Sequence, residues 1–488
     1  MVVGDQTQKH TTLAEVLEEI VKMKEIGAPV TAINLLGYCK SMVSVMCLGR
    51  LGRVELAGGA LAVGFANVTG YSVLSGLALG IEPICAQAFG SGNPALAARA
   101  LRRAFALLLA AAIPISVLWV SLHPLLLALR QDPAVAAVAA RFIRFALPDL
   151  LAAAFLSPVR IYLRTEGAGN PPRRLMWCTC LAVAGHVPLS LFLGSAFDVA
   201  GVAAATSISS INLLVALYLC SLFASPLQPQ SPKLQQLQQK QQQQQAVGAE
   251  WAALLRLAVP SCFAVCLEWW WYELMTIAAG YLSRPHVALA AAAIVIQTTS
   301  LMYTVPTTLA AAASARVGNE LGAGRPDKAR LAALVSVGLA FAGSGLGLSW
   351  AVLGRHAWAR VFTMDRDVLA LAATALPVVG LCELANCPQT AGCGVLRGTA
   401  RPGTAAVINL MAFYGVGAPV AGALAFGLGM GFVGLILGLL AAQIACAILV
   451  GYVVFRTDWE VEALKAVDLV GPTVATIEAQ EECGLFLA

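Results

Sequence analysis

Long apolar runs separated by short polar breaks make up almost the whole chain. They fall at 26–48, 58–85, 104–122, 135–156, 175–197 and 199–223, and again at 252–281, 287–313, 331–353, 368–395, 404–427 and 431–455. Each is long enough, at about 1.5 Å of rise per residue, to cross a hydrocarbon core of roughly 30 Å. Strands of a barrel would be far shorter and would alternate. The pattern therefore predicts an all-α integral membrane protein with twelve transmembrane helices. Residues 11–24 depart from it: Leu13, Val16, Leu17, Ile20 and Val21 recur at helical spacing, with Glu15, Glu18 and Glu19 elsewhere. That predicts an amphipathic helix lying on the membrane surface.

Composition agrees. Of 488 residues, 59% are hydrophobic and 12% charged, against about 45–50% and about 25% in soluble domains. The net charge of +5 points to no nucleic acid, because the basic residues sit in breaks between apolar runs. Residues 1–12 are polar and the first apolar run is too long for a signal core, so no cleavable signal is expected. The thirteen cysteines lie mostly inside spans without zinc spacing and are expected to pack helices. No G-x-x-x-x-G-K-[ST] loop is present, which argues against ATP-driven transport. Paired acids or a histidine at nucleophile spacing are likewise missing, so an enzyme is not expected.

Residues 224–250 begin with Pro226, Pro229 and Pro232 and run into a glutamine tract, a composition that predicts disorder. This linker separates two halves that resemble one another. Pro29 recurs as Pro260 (260 − 29 = 231), Gly90-Ser91-Gly92-Asn93-Pro94 as Gly322-Ala323-Gly324-Arg325-Pro326 (322 − 90 = 232), and Leu163-Arg164 as Leu396-Arg397 (396 − 163 = 233). Six spans per half place both halves the same way up, so the repeats are parallel about an axis along the membrane normal. The expected organisation is an N-terminal segment at 1–25, an N-lobe at 26–223, the linker at 224–250, a C-lobe at 251–455 and a tail at 456–488. Lysine and arginine crowd one set of ends (Lys22, Lys24, Arg99, Arg102, Arg103, Arg160, Arg164, Arg316, Arg325, Lys328, Arg397 and Arg401 among them), while the other holds Arg50, Arg53, Arg130, Arg284, Arg355, Arg360 and Arg366. The richer side is expected to be cytoplasmic and to hold both termini.

Ionisable residues at membrane depth are costly and by default mark a proton or substrate path. Glu268 lies inside the seventh run, in Cys266-Leu267-Glu268-Trp269-Trp270-Trp271-Tyr272, with no basic residue near it in that run. Glu383, Asn386 and Gln389 follow at steps of three and form one polar stripe on the tenth. Glu82 beside Pro83 and Lys40 in the first span make a possible polar site in the N-lobe, Lys40 being able to neutralise a carboxylate across the bundle. Asp149 after Pro148 and His186 read as structural. Candidate substrate contacts are Asn386, Gln389, Tyr272, Trp271, Gln297 and Asn34. A buried carboxyl without a countercharge can load and unload a proton near neutral pH, which makes the proton the expected coupling ion, with no cofactor or metal. Sodium remains open, since the Gly- and Pro-interrupted spans could also bind it.

Gly76–Gly92, the 266–275 segment, Arg316–Pro326 and Cys393–Pro402, together with Pro29, resemble the multidrug and toxic compound extrusion (MATE) transporters of the plant DETOXIFICATION type. The resemblance runs from Ile26 to Phe455. It implies a two-lobe antiporter that exports small organic solutes such as xenobiotics, secondary metabolites or hormones by alternating access, driven by protons. Glu268 matches that family's acid in the first helix of the second lobe. The family's second acid falls on Asn386, a departure, with Glu383 one turn earlier on the same face as its candidate replacement. A lipid or lipid-linked flippase of the same superfamily is the alternative. The expected setting is a monomer among membrane lipids, in the plasma membrane or an endomembrane (Golgi, endosome or vacuole).

Overall fold

A computed structural model describes residues 12–167, 170–222 and 247–471; the disorder expected for 224–246 lies outside these. Among the described residues, eleven helices are long and apolar enough to cross a membrane. One of them, 170–222, is broken by the non-helical backbone of Phe197 and Asp198 (φ 54°), which makes twelve spans. They are α1 (Leu13–Leu51), α2 (Arg53–Gly90), α3 (Pro94–Val120), α4 (Pro133–Thr165), α5 (170–196), α6 (199–222), α7 (Val247–Ala279), α8 (Pro285–Gly322), α9 (Pro326–Leu353), α10 (Arg366–Gly398), α11 (Pro402–Gly427) and α12 (Phe432–Phe455). Pro94, Pro133, Pro285, Pro326 and Pro402 each open a helix, where the missing N–H costs nothing and the fixed φ suits the first turn.

Two expectations need correction. The surface helix at 11–24 and the first span are one continuous helix, α1, started by a capping box in which Thr12 and Glu15 bond each other's backbone N–H. Val16, Ile20 and Met23 pack into the core between α8 and α9, and Glu19 bonds Arg316 (2.7 and 2.8 Å), so the segment docks on protein instead of lying on a membrane surface. Second, α7 begins at Val247, inside the expected linker, because Glu250 is held by Arg99 (3.4 Å) and Arg103 of α3. Within the tail, for which the sequence predicts no element, lies a helix, α13 (Trp459–Val470), capped by Asp458 and packed on α2, α8 and α9.

The two lobes, α1–α6 and α7–α12, meet through glycine. A Cβ on Gly90 of α2 would lie 2.0 Å from the Asn319 carbonyl oxygen of α8, and one on Gly322 of α8 would lie 2.0 Å from the Gln87 carbonyl oxygen of α2. These are one contact seen twice (319 − 87 = 232 and 322 − 90 = 232). Gly318 faces Ala86, its own mate (318 − 86 = 232), and so lies on the axis. Gln87 Nε2 donates to the Gly398 carbonyl (2.9 Å). With its amide nitrogen turned toward the partner, Asn319 donates to Thr165 (3.2 Å), the equivalent carbonyl. Three short sequence matches thus correspond to a pseudo-two-fold axis. The lobes are clamped at the end that carries the α2–α3 and α8–α9 turns. Toward the opposite end Arg53–Ala66 packs chiefly on α1 and α4 of its own lobe, and a Cβ on Gly64 would lie 3.9 Å from Glu273 of α7.

Candidate functional site

Above this clamp, between the lobes, lies a chamber of about 290 Å³. It adjoins a second, of about 430 Å³, that extends toward α5 and α6. Ile33, Asn34, Arg160, Trp269, Tyr303 and Thr307 line both.

The α7 sequence explains how Glu268 reaches the chamber. Ser261, Ala264, Val265 and Glu268 recur at helical spacing and form one lining face. The Glu268 carboxyl faces the Tyr303 hydroxyl of α8, with Arg397 as an electrostatic neighbour, and among the described residues it forms no ion pair. Of the three tryptophans, Trp269 lines the chamber. Trp270 is 39% exposed and donates to the Val68 carbonyl (3.1 Å). Trp271, expected to touch substrate, is instead buried against Phe413 and Tyr414 of α11, with ring centroids 5.8 and 6.0 Å away. Adjacent residues on a helix point about 100° apart, so the triplet cannot share one face.

The α10 stripe is built as expected but enters the chamber at one end only. Glu383 lies within the lobe, 4% exposed, where Asn386 Nδ2 donates to both of its oxygens (3.2 Å each). Thr390 donates to Asn386 Oδ1 (3.4 Å). Gln389 and Thr390 line the chamber, and the buried Gln389 Oε1 has no partner. Asn386 therefore serves Glu383 and is no chamber contact. Tyr272 packs against the C-lobe core, electrostatically next to both Glu268 and Glu383. Gln297 is half-buried on α8 and is not among the lining residues. Asn34 is in place: it lines both cavities and donates to Thr307 (3.2 Å) and Thr308 (3.4 Å).

Lys40 and Glu82 do not form one site. Lys40 Nζ donates to Ser210 Oγ (2.9 Å) and the Thr206 carbonyl (3.2 Å) and lies 3.9 Å from Asp149. Asp149 also accepts from Tyr71 and from Ser210 (2.5 Å). Glu82, fully buried, accepts from Arg164 Nη2 (2.7 Å) and Arg397 Nε (3.0 Å), the same position in each lobe (397 − 164 = 233). One carboxylate thus ties the two lobes at the clamped end. Arg160, Arg164 and Arg397 read as loop charges in the sequence, because each falls within a turn or two of a helix end.

A model of the MatE family matches residues 29–190 and 260–422, one segment in each lobe. Protein DETOXIFICATION 55 of Arabidopsis thaliana is 53% identical over 477 residues, covering 96% of this chain and 94% of that protein. Protein DETOXIFICATION 51 of the same plant is 48% identical over 459 residues, covering 93% and 84%. Among solved structures, the eukaryotic MATE transporter AtDTX14 matches with a TM-score of 0.85 at 29% identity, over 93% of this chain and 100% of that one.

Proposed function

This chain belongs to the MatE family of multi-pass membrane transporters, and on that premise we propose that it exports small organic solutes from the cytoplasm in exchange for protons. The observation that carries the reading is Glu268: a carboxyl on the chamber wall that faces a tyrosine and, among the described residues, forms no ion pair. Glu383, beneath the wall and held by Asn386 alone, is the second acid in reach of the same proton path.

In this reading the lysine- and arginine-rich end, with both termini, is cytoplasmic. The clamp around Glu82 then shuts the cytoplasmic side, and the state described is outward-facing. A proton arriving from the acidic outer or lumenal side reaches Glu268, weakens its hold on cargo, and lets the empty, protonated carrier turn inward. Release of the proton to the cytoplasm restores an acceptor for the next cargo molecule. Such a cycle requires cargo and proton to have different affinities for the two facing states. The transporter acts as a monomer in the plasma membrane or an endomembrane, with the proton as its only co-substrate.

Reconstituted Glu268→Gln protein should still bind cargo but lose pH-driven exchange by about 100-fold or more, the size of effect typical of removing a positioned proton-transfer group. Undiminished exchange under a pH gradient overturns the mechanism.

A further inference from the structure

The N-lobe side of the chamber carries a cation with no ion pair of its own among the described residues. Arg160 stands one helical turn before Arg164 on α4, two residues after the interrupting Pro158, and lines both cavities. Arg164 and Arg397 are committed to Glu82. Arg160 has no ion pair or hydrogen bond among the described residues, and its Nε is buried without a partner. The acid within electrostatic reach is Asp149, already held by Tyr71, Ser210 and Lys40. Two cations, Lys40 and Arg160, therefore share one carboxylate. On the same wall the Tyr38 hydroxyl is also buried and unpartnered. Unpaired buried charge is expensive to keep unless something supplies its counterion. The equivalent position in the C-lobe is Cys393 (393 − 160 = 233), so the feature belongs to one lobe only.

We propose that this wall is an anion subsite, and that the transporter's cargo includes amphipathic organic acids whose carboxylate is received by Arg160 and Tyr38. A guanidinium presents a planar fork of donors that matches a carboxylate with two parallel hydrogen bonds, and the tyrosine supplies a third. Ile33, Leu213 and the Trp269 ring offer the apolar body a flat surface beside it. The cavity volume suits a small ring system. The acids Glu268 and Glu383 taken alone favour neutral or cationic cargo; the N-lobe wall reverses that preference at its own end of the chamber. This inference rests on the reading that the chamber is the cargo path.

The test is equilibrium binding of labelled 2-naphthoate, ionised at neutral pH, and of its uncharged analogue 2-naphthamide to the full chain in lipid nanodiscs. The acid should bind at least about tenfold tighter than the amide, the range of a charge-assisted hydrogen bond. Arg160→Gln should abolish that preference while leaving thermal unfolding unchanged, because it removes a side chain that makes no hydrogen bond or ion pair among the described residues. Arg160→Lys should keep part of it, and Tyr38→Phe should weaken the acid by about threefold with the amide unaffected. Equal binding of the two probes, no binding of either, or an unchanged preference in Arg160→Gln overturns the subsite. Acid binding that survives alongside a failure of pH-driven exchange leaves the subsite standing and removes the proton drive alone.

Discussion

In the N-lobe the carboxylate of Asp149 is held by Tyr71, by Ser210 at 2.5 Å and by Lys40 at 3.9 Å. In the C-lobe Glu268 has Tyr303, the repeat mate of Tyr71 (303 − 71 = 232), and no lysine or arginine bonded to it. Among the described residues Glu383 has only the Asn386 amide. Both lobes thus pair an acid with a tyrosine in the second span, and only one adds a countercharge. A carboxylate beside a cation and two hydroxyl donors has its charge compensated. One held by neutral donors can change its protonation. The duplicated fold accordingly sets a cation beside its acid in one lobe and, on the proposed reading, leaves the acids of the other to carry the proton.

Exchanging the acids one at a time should separate the two roles. Asp149→Asn leaves Lys40 and Arg160 without their shared anion and should destabilise the protein by about 3–5 kcal/mol, the cost of breaking a buried pair by removing one partner. Thermal unfolding in detergent reads this directly. Exchange per folded molecule should keep its pH dependence, whereas Glu268→Gln should show the reverse pattern, unaltered unfolding and lost pH dependence. Should Asp149→Asn abolish pH coupling at full stability, the division between the lobes is wrong.

A smaller effect is expected at the clamp. Glu82→Gln keeps one acceptor oxygen, so one arginine retains a weaker hydrogen bond while the other meets the amide NH2, a donor. Arg164 and Arg397 are left facing each other, a loss of about 1.5–3 kcal/mol. The clamped end should open more often. Cys393 lines the chamber, so in a background with the other cysteines changed to alanine it reports that opening. Its labelling by an impermeant thiol reagent from the basic-loop side should accelerate by about tenfold or more in Glu82→Gln. An unchanged labelling rate would show that the glycine contacts alone hold the end shut.

How far these differences could be read from the sequence depends on whether they are local. Span number, the repeat and the depth of Glu268 follow from hydropathy and short matches, because each is set by neighbouring residues. The Glu383–Asn386–Gln389 stripe was legible for the same reason, as a step of three along one helix. Which residues face the chamber was not: Trp269 faces it and Trp271 does not because of how α7 is rotated against α2 and α11, a matter of packing between distant segments. Arg160, Arg164 and Arg397 look alike as charges near helix ends. What separates them is Glu82, which lies 82 residues from Arg164 and 315 from Arg397 and leaves none of its capacity for Arg160. The continuity of α1 also escaped detection, since Glu19 signals a surface only until Arg316 is brought against it.

The contrast between fixed and titrating charge can be sharpened by an electrical measurement, where the effect is smallest. If a carboxylate leaves as one proton enters, each turnover carries two positive charges inward; a neutral solute such as the amide carries one, and a monovalent cation none. The charges built into the lobes do not cross the membrane, so a potential acts on cargo and proton alone. Each transferred charge is worth about 2.3 kcal/mol per 100 mV. The driving forces for acid and amide should therefore differ by about that amount at an inside-negative potential of about 100 mV. Because only part of the field falls across the slow step, the gain in export rate should be a few-fold. In liposomes clamped with potassium and valinomycin, the acid should speed up more than the amide as the potential is made more negative on the cytoplasmic side. The excess should remain in Glu82→Gln, which alters the clamp and not the charge carried. Identical potential dependence for acid and amide would mean that the carboxylate travels with an additional proton, and that Arg160 receives it as the neutral acid.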